Sequence, residues 1–174
     1  MQSMLILGDS LAEYGDWSCL LPEYRTMNRG VAGETAGELA GRLARELDLD
    51  GDPDHILIMS GTNNLLMGDA TFIAVFETML PLLRRFCPQS VVTVIGLAPL
   101  SLSGMAATGV AGANSALAEI SRSAGCEFLD PGPDFALHCR PVGNPCFLMD
   151  GVHFTPHGYR VLANTIRRRL QSSG

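Results

Sequence analysis

Positive charge is scarce in this 174-residue chain: 12 Lys and Arg stand against 18 Asp and Glu, giving a formal net charge of −6 and a pI near 5.1. A surface with that balance repels phosphate, which argues against a nucleic-acid partner or an anionic membrane. The one basic cluster, Arg167-Arg168-Arg169, closes the last expected helix, where cations complement the carbonyl end of the dipole. Long hydrophobic runs are missing too. No stretch reaches the roughly 18–20 uninterrupted apolar residues of a membrane span. The N-terminus has neither a basic opening nor a long apolar segment, and residues suited to chemistry begin at Gly8. No removable signal peptide is read there, and a cytoplasmic location is expected. Zinc-like cysteine spacing is absent: Cys19, Cys87, Cys126, Cys139 and Cys146 are odd in number and read as buried or half-buried free thiols. Cys139 and Cys146 share one loop and are the pair able to bridge. Linkers, repeats and low-complexity tracts are lacking, and no nucleotide-binding glycine fingerprint follows the first apolar run.

What is present fits one globular domain over residues 1–174, with 47% apolar and 17% charged residues. Apolar runs at Met4–Leu7, Tyr24–Asn28, Ile56–Ser60, Val91–Gly96 and Cys126–Leu129 read as strands, two of them unbroken as strands buried on both faces are. Helical stripes fall between and after them, at Thr35–Leu47, Thr71–Phe86, Gly109–Ser123 and Pro156–Leu170. Strand–helix alternation predicts an α/β protein with a parallel sheet covered by helices on both faces. Leu97–Thr108 and Asp130–Met149 read as long irregular stretches, which in a compact domain usually serve function.

Ligands of such sheets bind beyond the carboxyl ends of the strands, and polar residues gather there. Ser10 follows the first strand in Gly8-Asp9-Ser10-Leu11, Gly33 lies beyond the second, and Gly61-Thr62-Asn63-Asn64 follows the third. A serine hydroxyl becomes a useful nucleophile only beside a base and near donors for the oxyanion it generates. Asp150 and His153 lie three apart before the last helix. A tight turn there lets the carboxylate take the Nδ1–H and leaves Nε2 free to accept a serine proton. Of the other histidines, His157 falls in a first helical turn, His55 before the third strand, and His138 in a long loop. Asn63 can aim an amide donor at a developing charge, and Gly33 can present a backbone N–H with no side chain in the way. Taken singly, each of these residues has a bland reading as a cap or a turn.

In this order the blocks resemble the SGNH (GDSL) hydrolases. Gly8-Asp9-Ser10-Leu11 is similar to that family's first block, Asn28-Arg29-Gly30-Val31-Ala32-Gly33-Glu34-Thr35 to its second, and Gly61-Thr62-Asn63-Asn64 to its third. Asp150-Gly151-Val152-His153-Phe154-Thr155-Pro156 opens a segment similar to its last. The resemblance implies a three-layer, flavodoxin-like α/β/α sandwich of about five parallel strands. It implies an esterase forming an acyl-enzyme on Ser10, with His153 as base and Asp150 orienting it. It also implies an oxyanion hole made by the backbone N–H groups of Ser10 and Gly33 and the Asn63 side chain, and no metal or organic cofactor. Asp9 in this pattern supports the site without being the triad acid. Many members carry Asp where this chain has Asn64.

The substrate is expected to be a small ester or thioester of short or medium acyl length, or a lipid-like ester. The strand-end loops carry Trp17, Leu65, Leu100, Met105 and Phe147, which read as candidate substrate-binding residues. The same apolar loops would equally serve a homodimer interface. One Trp and three Tyr supply few stacking platforms, which lowers a carbohydrate O-deacetylase beneath the esterase reading. A non-catalytic flavodoxin-like binding module is the alternative of another class.

Overall fold

The computed structural model describes residues 1–50, 52–100, 107–140, 142–143 and 145–172. Five parallel strands form one sheet: β1 (Ser3–Gly8), β2 (Arg25–Gly30), β3 (His55–Met59), β4 (Val91–Ile95) and β5 (Glu127–Leu129). Their order is β2-β1-β3-β4-β5. Longer helices cover the sheet: α3 (Ala36–Asp50), α5 (Phe72–Phe86), α6 (Ala107–Ser123) and α8 (Pro156–Ser172). Four short helices, α1 (Ser10–Glu13), α2 (Trp17–Leu20), α4 (Thr62–Leu66) and α7 (Gly132–His138), lie in the connections. Helix α7 occupies part of the stretch that the sequence reads as irregular.

The unbroken apolar runs are explained by the two covered faces. Side chains alternate across a strand. Met4, Ile6, Leu57 and Met59 therefore enter the core beneath α1, α2, α7 and α8, while Leu5, Leu7, Ile56 and Ile58 enter the core beneath α3, α5 and α6. At the end of α8 the three arginines are ion-paired, Arg167 with Glu23, Arg168 with Asp134 and Arg169 with Glu127, so the basic cluster pins the last helix to its neighbours.

The strand order reverses direction between β1 and β3. At that switch the backbone comes very close: a Cβ on Gly8, whose φ is +151°, would sit 2.0 Å from the Met59 carbonyl oxygen. Only glycine lets β1 end this tightly against β3. In register Gly8 faces Gly30 on one side and Met59 on the other, so the segments leaving β1, β2 and β3 emerge side by side.

Candidate active site

Ser10 is the first residue of α1. Asp9 caps that helix, its Oδ1 accepting the Leu11 N–H at 2.9 Å, and Asp9 N–H donates to the Met59 carbonyl at 3.1 Å. The serine is thus held between the end of β1 and a helical turn. As the opening residue of a helix it has no carbonyl one turn earlier for its own N–H. Ser10 Oγ lies 3.0 Å from His153 Nε2, and His153 Nδ1 lies 2.7 Å from Asp150 Oδ2. The three side chains form one hydrogen-bonded line spanning 143 residues of sequence.

Asp150 reaches the imidazole because its segment folds on itself. Asp150 Oδ1 accepts the N–H of Val152 at 2.9 Å and of His153 at 3.0 Å. The Leu148 N–H donates to the His153 carbonyl at 2.7 Å, and the Gly151 N–H to the Leu148 carbonyl at 2.9 Å. These backbone donors, Val152 first, and the His153 hydrogen bond together hold the Asp150 carboxyl down to about 2. It is ionised, and its side chain is 47% exposed. An ionised carboxylate on Nδ1 favours the tautomer whose Nε2 can take a proton from Ser10. The Tyr14 ring lies 5.6 Å from the imidazole, tilted by 38°.

The candidate oxyanion donors stand on the segments that leave β2 and β3. Gly33 is exposed, with φ +80° and empty space where a side chain would stand. Glu34 N–H donates to the Val31 carbonyl at 3.2 Å, closing the turn that displays Gly33. Asn63 Nδ2 donates to the Glu34 carbonyl at 2.9 Å, which orients the amide and leaves its second N–H without an acceptor among the described residues. Arg42 grips the Glu34 carboxylate through Nε and Nη2 and bonds the Arg29 carbonyl at 2.7 Å. Asn64 joins the second and third blocks: its Oδ1 accepts the Ala36 N–H at 2.9 Å and its Nδ2 donates to Asp69 at 2.7 Å. An aspartate could perform only the first of these roles. Asp69 supplies a carboxylate partner for Asn64, which accounts for an amide at this position.

Asp9 makes no hydrogen bond to His153. It is 1% exposed, and burial, the leading cause, pushes its carboxyl up to about 7. Its Oδ2 has no partner among the described residues. The remaining histidines are placed elsewhere. His157 Nε2 donates to the His138 carbonyl at 3.1 Å. His55 is buried against Tyr24 where β3 begins, and that burial pulls its pKa down.

Among the apolar candidates Trp17 needs correcting. It is 2% exposed, donates its indole N–H to the Ala12 carbonyl at 2.8 Å and stacks edge-on against Tyr159, so it is core beneath the site and no pocket wall. An amphipathic indole beside a polar turn reads the same in sequence whether it faces in or out. Leu65 packs on the α3–α5–α6 side. Leu100 and Phe147 line a cleft of about 420 Å³ with Phe135 and Pro145, and Met105 lies outside the described residues. The thiol reading is corrected as well: Cys139 and Cys146 form a disulfide with Cα atoms 5.4 Å apart. Thr155 N–H then donates to the Cys146 carbonyl at 2.9 Å, tying that bridge to the start of α8. Sequence reasoning missed Tyr14, four residues after Ser10 on the same helical face, and the Glu34–Arg42 pair. Among the described residues no group of three or more His, Cys, Asp or Glu side chains is placed to hold a metal ion, and no helix is long and apolar enough to cross a membrane.

This strand order is the flavodoxin-like, doubly wound α/β class, in which ligands sit at the β1–β3 switch. The chain belongs to the GDSL-like lipase/acylhydrolase family, whose model matches residues 6–161, and it is an ester-hydrolysing enzyme. No curated protein matches it significantly in sequence. Solved structures do match in fold. One is a GDSL-like lipase from Bacteroides thetaiotaomicron, at 17% identity and TM-score 0.74, covering 99% of this chain and 89% of that one. Another is a catalytic mutant of Axe2, an acetylxylan esterase from Geobacillus stearothermophilus, at 15% identity and TM-score 0.80, covering 97% and 94%. That mutant replaces an aspartate. A second catalytic mutant of the same esterase replaces a histidine three positions later, at 16% identity and TM-score 0.77, covering 96% and 93%.

Proposed function

We propose that the chain acts as one serine esterase domain that transfers the acyl group of a carboxylic ester or thioester to Ser10. The hydrogen-bonded line from Asp150 through His153 to Ser10 carries this reading. Ser10 Oγ bonds to the carbonyl carbon while its proton passes to His153 Nε2. The carbonyl oxygen becomes an oxyanion facing the Ser10 and Gly33 N–H groups and the Asn63 amide. The bond to the leaving alcohol or thiol then breaks as His153 returns the proton to it. Water repeats the sequence on the acyl-enzyme. The spacing of Asp150 and His153 equals that of the two catalytic positions replaced in the Axe2 mutants.

The substrate class is a short or medium acyl ester or a lipid-like ester. The acetylxylan esterase neighbour favours a second reading, removal of acetyl groups from carbohydrate. The test is labelling by a fluorophosphonate together with turnover of p-nitrophenyl esters and acetylated xylo-oligosaccharides. Rapid labelling and turnover are expected in the wild type. Both should be lost in Ser10→Ala, which should still fold, because a small hydroxyl at a strand end contributes about 1 kcal/mol or less to stability. Wild-type turnover by Ser10→Ala would remove the nucleophile. A chain that neither labels nor turns over would be a binding module.

A further inference from the structure

A cleft of about 630 Å³ opens beside His153. Tyr14, Leu20, Leu148, Phe154, Pro156 and Tyr159 form most of its walls, while Ser10, Gly33 and Asn63 do not line it. Of the residues in the hydrogen-bonded line, His153 alone borders the cleft, together with the Tyr14 ring that lies 5.6 Å from its imidazole, so the cleft opens on the base's side of the site. That direction has a chemical meaning. In the tetrahedral intermediate the oxyanion faces Gly33 and Asn63, and the only other oxygen on that carbon in need of a proton is the leaving one, which must face His153 Nε2. The substituent carried past His153 is the one attached to the leaving oxygen. Resting on the hydrolase reading above, we propose that this cleft is the leaving-group site and that it selects esters of apolar alkyl or aryl alcohols.

The walls fit that class. Phe154 and Tyr159 are almost fully buried and meet edge-on at 5.3 Å, and Tyr159 is backed by Trp17 at 6.0 Å, so they make a rigid apolar floor. The Tyr159 hydroxyl spends its proton on the Leu11 carbonyl at 3.1 Å, so it has no donor left for a sugar hydroxyl. Besides His153, the polar groups on the lining are Asp16, Arg160, the Tyr14 hydroxyl and the Cys19 thiol. The volume falls in the range typical of small-molecule sites. Trp17, read from sequence as a substrate contact, contributes from below by fixing the floor.

The experiment holds one half of the ester constant and lengthens the other. Acetates of methyl, butyl, hexyl and phenethyl alcohols are compared with methyl esters of acids of matching length. kcat/KM is the quantity to read, because it covers the steps in which the alcohol is still attached. Along the acetate series it should rise about three- to fourfold per added methylene until the cleft is filled, and less along the acid series. Leu148→Ser should flatten the acetate series. So should alkylation of Cys19, an exposed free thiol lining the same cleft, with a bulky maleimide, whereas Cys19→Ser should keep its slope through that treatment. A flat acetate series beside a steep acid series would overturn the assignment while leaving the esterase intact. So would an acetate slope that survives both Leu148→Ser and alkylation. Turnover of no ester in either series would overturn the hydrolase reading, and the leaving-group site with it.

Discussion

Ser10, Gly33 and Asn63 stand on backbone whose neighbours are sheet and core, whereas Asp150 and His153 stand on a loop whose partners are mostly its own backbone. On the first side the bonds run between distant segments: Asp9 to Met59, Val31 to Gly8, Asn63 to Glu34 and Ala36 to Asn64. On the second they are local, from Leu148 to His153 and from Asp150 to Val152 and His153, with the Cys139–Cys146 bridge joining the loop to the end of α7. One half of the site inherits its precision from the fold. The other half has to generate it from a turn, a staple and the first residues of α8. Local opening should therefore disturb the base before it disturbs the nucleophile.

Replacing the orienting carboxylate tests the weaker half most severely. Asp150→Asn should lower kcat by up to about 10⁴-fold, since an amide can hold the ring in its wrong tautomer. The turn that restrains His153 survives in this variant, because an amide oxygen can still accept from Val152 and His153. Steady-state kinetics should therefore show the loss with little change in the unfolding midpoint. A matching loss of stability would mean that Asp150 mainly holds the loop.

On the rigid side, Asn63→Ala should lower kcat by roughly 100- to 1000-fold, with a smaller change in KM, as expected for one oxyanion donor. An effect confined to KM would show Asn63 to be a substrate-positioning group. Comparing the two variants by their kcat and KM separates proton handling from charge stabilisation.

Removing the staple should affect the two halves unequally. Cys139→Ala/Cys146→Ala opens a very short loop and should cost about 2–3 kcal/mol. Amide exchange should quicken across residues 145–158 while the amides of β1 keep their protection. Equal loss of protection in β1 would show that the loop and the sheet open as one unit.

At Asp9 the readout is the pH dependence of stability. Its carboxyl is pushed up from 3.8 to about 7, so the folded chain holds that proton more tightly than the unfolded chain does. Its contribution to stability is then full below pH 3.8 and is lost as pH rises towards 7. Asp9→Asn keeps an oxygen for the Leu11 N–H and should flatten the urea midpoint between pH 4 and 7 relative to the wild type. An unchanged profile would mean that the carboxyl is not held neutral by its burial.

The strands and long helices were legible because both signals are local. The apolar run Ile56–Ser60 and the stripe Thr71–Phe86 lie within one residue of the observed His55–Met59 and Phe72–Phe86. Short helices such as α1 and α7 were not legible, since four to seven residues show too little periodicity, and their formation depends on the caps and core around them. The residues of the four blocks stood out by type and order alone.

The sequence by itself determined the α/β class, the family resemblance and which residues are candidates for the chemistry, because these follow from residue type and local pattern. The tertiary structure alone decided that Trp17 faces inward, that Cys139 and Cys146 come within bridging distance, and that Glu34 is gripped by Arg42. It also decided that an apolar cleft lies beside His153. Each of these depends on which segments the β1–β3 switch and α8 bring together, and contacts between residues far apart in sequence leave no period in the chain to read.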